Sequence, residues 1–169
     1  MKTLVAALGL CAVGLTVVAA QQTSSTSSPS QTTKTASGPY NEQADAKADI
    51  AAALALARKD HKNVFLDFGG NWCGDCIVLA RLLDDPSVKP FYEANFHEVR
   101  IDVGRFNKNT DLSDQYGGVI GQGVPAIVIL APDGHVVDTT KDGSYENARH
   151  FTAAQVLDSL KKWAPKPND

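Results

Sequence analysis

Two cysteines, Cys73 and Cys76, lie in the hexapeptide "NWCGDC" (71–76) that follows directly on the apolar run "NVFLDFGG" (63–70). That juxtaposition limits the fold more than any other feature of the chain. The run has the length and the β-branched and aromatic content of a buried strand, apolar on both faces except at Asp67. Beyond its glycines, "CGDCIVLARLL" (73–83) has helical composition and stops at Asp84-Asp85-Pro86. The cysteines therefore fall where a strand ends and a helix begins. At a helix start, unpaired backbone N–H groups and the positive end of the helix dipole favour an anion. Thiolate is the reactive form of cysteine, so this position activates Cys73. Cys76 lies about one turn further along the same face, within reach of a disulfide to Cys73, and Gly74 keeps the approach open. The pattern supports thiol–disulfide exchange, in which Cys73 attacks, a mixed disulfide forms and Cys76 resolves it.

Processing decides whether these are the only thiols. Residues 1–20 carry one charge, Lys2, then an apolar stretch closing on Val18-Ala19-Ala20, the small residues a signal peptidase reads. Cleavage after Ala20 is expected. The alternatives are a retained N-terminal membrane anchor and a lipidated Cys11, although bulky Leu10 suits the latter poorly. Cleavage removes Cys11 and Lys2, leaving two cysteines and a balance of 15 basic against 19 acidic residues. The expected location is periplasmic or secreted, where disulfides persist. A mildly acidic chain without a basic run is a poor partner for nucleic acid or an anionic membrane. Residues 21–39, rich in Ser, Thr and Gln, read as a disordered linker, because they hold too little apolar surface to offset ordering entropy. Residues 40–169 have the size of one ordinary domain.

Within that domain the pattern predicts a helix over 41–63, with Asn41 as N-cap and Ile50, Leu54 and Ala57 on one face. The strand at 63–68 and the cysteine helix follow. A short helix over 87–96 is expected to be interrupted by Pro90, and "HEVRID" (97–102) alternates like a strand. "TDLSDQYGG" (110–118) reads as a helix capped at Thr110. "AIVIL" (126–130), the turn "APDG" and "HVVDTT" (135–140) form a hairpin. The last helix, 152–163, has a Thr152/Gln155 capping box and a Phe151 to Val156 staple. Helices alternating with strands before a closing hairpin point to an α/β sandwich with a mixed sheet. The connection 104–123 reads either as a segment whose tail shapes access beside Pro125 or as an ordinary loop–helix–loop, and 141–150 as a surface crossing.

"VFLDFGGNWCGDC", with Gly-Val-Pro (123–125) ahead of "AIVIL", resembles the thioredoxin superfamily, and "DDPSVKPFYEANF" is similar to its exported disulfide reductases. The resemblance implies a three-layer sandwich with a mixed central sheet flanked by helices. It implies a Val124–Pro125 cis peptide facing the cysteines, with Trp72, Val124 and Pro125 forming the substrate platform. It makes Asp67 the buried acid behind the pair. Independently, an acid inside an apolar strand is desolvated, so its pKa rises and it can exchange a proton with Cys76. The family often sets a lysine near that acid, where this chain has Glu98. Asp75 replaces a more usual proline and puts negative charge beside the prospective thiolate, which argues for a reductant.

The expectation is an exported thiol–disulfide oxidoreductase acting on protein disulfides, a monomer needing no cofactor and no metal, supplied by a membrane electron donor. The competing reading is a binding module. It either docks a partner with little redox turnover, or holds metal on the cysteines with His61, His97, His135 or His150, none of which has ligand-like spacing to them.

Overall fold

In the computed structural model, residues 38–166 are described; the expected signal sequence and positions 21–37 of the expected linker lie outside the described residues. The chain runs α1 (Ala46–Asp60), β1 (Asn63–Gly69), α2 (Gly74–Leu83), α3 (Lys89–Asn95), β2 (Phe96–Asp102), α4 (Thr110–Gln115), β3 (Ala126–Leu130), β4 (Val136–Thr139) and α5 (Ala153–Trp163). Short 3-10 turns at Val119–Gly121 and Ala148–His150 interrupt the loops. The sheet order is β2-β1-β3-β4, with β2 parallel to β1 and the rest antiparallel.

β1 is central and every one of its residues is buried. Alternation sends Val64, Leu66 and Phe68 into a cluster with Ile50, Ala53 and Ala57 of α1. Phe65 turns the other way, into a cluster built with α2, α3 and α5 around Leu79, Tyr92 and Leu160. The outcome is three layers, helix on sheet on helix. Each fully buried Leu or Phe contributes roughly 1.5–3 kcal/mol relative to exposure.

The ends of several elements differ from expectation for local reasons. α1 starts at Ala46, because Asp45 rather than Asn41 caps it, accepting from the backbone N–H groups of Lys47 and Ala48. Asn41 instead accepts from the Gln43 N–H in a turn ahead of the helix. Pro90 does not interrupt α3; it occupies the first turn, where no backbone N–H is needed. α4 is preceded by left-handed Asn109, whose side chain donates to the Asp102 carbonyl, and no side chain caps it. α5 has the expected capping box at Thr152 and Gln155. Gly38 and Pro39, read as the end of the linker, pack with the domain, and Pro39 is buried.

Candidate active site

Cys73 is the N-cap of α2, and its sulfur accepts the Cys76 backbone N–H at 3.1 Å. The two sulfurs are joined in a disulfide. Opposite them stands the Val124–Pro125 peptide, which is cis. The Val124 carbonyl oxygen lies 3.4 Å from Cys73 Sγ. A thiolate at Cys73 inherits both the capping N–H and the helix dipole. The pair is thus geometrically able to open by exchange with an external thiol and to close again.

Asp67 is fully buried on β1. Its register partner on β2 is Arg100, whose Nε donates to Glu98 at 2.8 Å. The cation near the buried acid therefore comes from Arg100, two positions beyond Glu98. Desolvation pushes the Asp67 carboxyl up to about 7, opposed by Arg100 and reinforced by Glu98. Oδ2 accepts the Tyr40 hydroxyl at 2.8 Å, and among the described residues Oδ1 has no hydrogen-bond partner.

Trp72 is 39% exposed beside the cysteines. Its ring meets Phe106 edge-on at 5.6 Å, the Arg105 guanidinium sits 4.9 Å from its centroid, and its Nε1 donates to the Gly104 carbonyl. The loop after β2 thus joins the site through its first residues, packing on Trp72.

Asp75 departs from expectation. Its carboxylate accepts the Arg149 backbone N–H at 3.0 Å and the guanidinium Nε at 2.8 Å, and Nη2 closes a bidentate pair. These bonds hold the Asp75 carboxyl below its ordinary range against its own desolvation. Asp75 is not a bare negative charge beside the thiolate, and its pull towards the disulfide is offset by a neighbouring cation. The segment 141–150 is likewise no simple surface crossing, since Tyr145 and Ala148 are buried and present Arg149 to α2.

The sequence reading missed Tyr40, Asn71, Arg100 and Arg149, and the packing of Arg105 and Phe106 on Trp72. The Asn71 side chain accepts from the Tyr40 N–H and donates to the Tyr40 carbonyl, each at 2.9 Å. Tyr40 had a signal, as the first aromatic after a stretch almost empty of apolar side chains. The others had none, because long-range partners of a side chain leave no local pattern. Two of the four histidines are engaged by carboxylates, His97 by Asp60 and His135 by Asp133. Among the described residues no group of three or more His, Cys, Asp or Glu is arranged to hold a metal ion.

Residues 45–132, more than half of the chain, match the family described as thioredoxin-like. The chain belongs to the thioredoxin-like family. A solved structure titled disulphide isomerase from Xylella fastidiosa Temecula1 is 40% identical, with a TM-score of 0.72 over 74% of this chain and 95% of that one. Thiol:disulfide interchange protein DsbD 1 of Pseudomonas aeruginosa is 38% identical over 89 residues, 52% of this chain. Protein disulfide-isomerase of Triticum aestivum is 32% identical over 104 residues, 62% of this chain. The thioredoxin-like chain spans only 14% and 17% of these two longer proteins. Tyr40 and Arg149 both lie outside the stretch that matches the thioredoxin-like family.

Proposed function

We propose that this thioredoxin-like protein is a thiol–disulfide oxidoreductase that reduces protein disulfides outside the cytoplasm. The observation that carries the reading is the Cys73–Cys76 disulfide at the first turn of α2, with the Val124 carbonyl against Cys73 Sγ. In this reading Cys73 is the nucleophile and Cys76 the resolving thiol. Asp67 is the base that accepts the Cys76 proton, and a carboxyl pushed up to about 7 is poised for it near neutral pH. An extended substrate segment pairs with backbone beside Val124 and Pro125, and the exposed Trp72 ring supports it. The similarity to proteins named for disulfide isomerisation and interchange supports the reaction class.

Equilibrating the pair against a graded thiol buffer, with thiol alkylation and mass as the readout, tests the function. A potential near about −270 mV fits a reductant, and one near about −120 mV sinks the reducing direction. Failure to interconvert at any poise sinks the redox reading altogether. Changing Cys76 to Ser is expected to trap mixed disulfides, and Cys73→Ser to abolish exchange. The location rests on residues 1–20, and a mature protein whose N-terminus is Gln21 supports it. Outside the cytoplasm the pair is cut off from cytosolic thiols, which calls for a membrane electron donor. Rereduction of the purified protein by isolated membranes checks that step.

A further inference from the structure

The buried acid is not alone behind the cysteines. Tyr40 is fully buried, and its hydroxyl donates to Asp67 Oδ2 at 2.8 Å. A Cβ placed on Gly69 would lie 2.3 Å from that hydroxyl oxygen and 3.0 Å from Cys76 Sγ, so oxygen and sulfur stand no more than about 5.3 Å apart. Only glycine leaves this place open. The tyrosine is held from outside its ring: the Asn71 side chain, two positions before Cys73, bonds both backbone groups of Tyr40. A phenol hydroxyl accepts and donates at once, which a carboxylate alone does not do.

Resting on the oxidoreductase reading, we propose that the Tyr40 hydroxyl relays the proton between the Cys76 thiol and the Asp67 carboxylate. In the mixed disulfide Cys76 is a thiol. Its proton passes to the Tyr40 oxygen while the Tyr40 proton passes to Asp67, so the phenol never ionises. This concerted route suits a hydroxyl whose ionisation burial strongly opposes. The Cys76 thiolate attacks Cys73 Sγ and the Cys73–Cys76 bond forms. The bond from Cys73 to the substrate sulfur breaks, and its electron pair leaves with that sulfur, which takes a proton from water. The substrate gains two electrons and the cysteine pair loses two. The charged and titratable groups facing this route are Arg100 and Glu98 from β2, besides Tyr40 and Asp67 themselves. β3 offers apolar Ile127 opposite Asp67.

Reduced protein mixed with dithiobis(nitrobenzoate) separates the two steps, because Cys73 releases one thionitrobenzoate and Cys76 the second. Tyr40→Phe keeps the ring and removes the hydroxyl. The expected result is a first phase within two-fold of the unchanged protein and a second phase slowed at least ten-fold. In Asp67→Asn, adding Tyr40→Phe is expected to slow the second phase no further. A second phase unaltered by Tyr40→Phe, or effects of the two substitutions that multiply, overturns the relay while leaving the oxidoreductase reading intact. An unchanged protein that shows no second release overturns both. Should Tyr40→Phe not fold, rates in mixed light and heavy water decide on the native chain. A curved dependence shows two protons in flight, and a straight one overturns the relay.

Discussion

Asp67 shows how one side chain couples chemistry to stability. Its carboxyl is raised from an ordinary value near 4 to about 7, with desolvation as the chief cause. A group whose folded-state pKa is raised lends stability that is fully present below the unfolded pKa and lost as pH rises through the folded one. The oxidised protein is therefore expected to weaken between pH 5 and 8 relative to Asp67→Asn, by on the order of 3 kcal/mol. Urea denaturation of both forms at the two pH values measures this, and parallel stabilities refute it. The acid was legible because a charged residue inside a short apolar strand has few places to go. Its partner Tyr40 was legible only as the first aromatic after a long polar stretch, which carries no mark of the acid it meets.

At the scale of elements, α2 is secured at its first turn by Arg149, which arrives just before α5. Removing the guanidinium leaves Asp75 uncompensated beside Cys73 and raises the thiol pKa. Arg149→Ala is expected to slow alkylation of reduced Cys73 by a few-fold between pH 6 and 7. A rate unchanged across that range would mean that Asp75 does not sense the sulfur. For α5 itself, Thr152→Ala deletes the cap and is expected to cost about 1 kcal/mol, read from the thermal midpoint. Helices and strands were legible from composition and period, and the Thr152 to Gln155 box from four consecutive residues. Their ends were less so: Asn41 and Asp45 are both good caps, and the structure uses Asp45 for the helix and Asn41 for the turn ahead of it.

Over the whole molecule, the alternation of helices and strands before a closing hairpin revealed the α/β sandwich with its mixed sheet, because each of those signals is contiguous, and the three layers came from the family resemblance. What stayed hidden was the grip on the site by both ends of the domain. A chain starting at Asp45 keeps every residue that matches the family but lacks Tyr40. Compared with a chain starting at Gly38, it is expected to melt roughly 10 °C lower, through loss of a buried aromatic worth about 3 kcal/mol. Equal melting temperatures would show that the segment is ornamental to stability.

The two grips also differ in the length of chain they close, 27 residues from Tyr40 to Asp67 and 74 from Asp75 to Arg149. The longer closure costs about 0.9 kcal/mol more in entropy. Entropy alone therefore favours closing acid and phenol ahead of the Arg149 clamp. A molecule in which Arg149 has not docked carries its cysteine pair beside an unbalanced Asp75, so its thiols are expected to be slower than those of the closed site. Docking of Arg149, rather than formation of the sheet, is then expected to bring the pair to full reactivity.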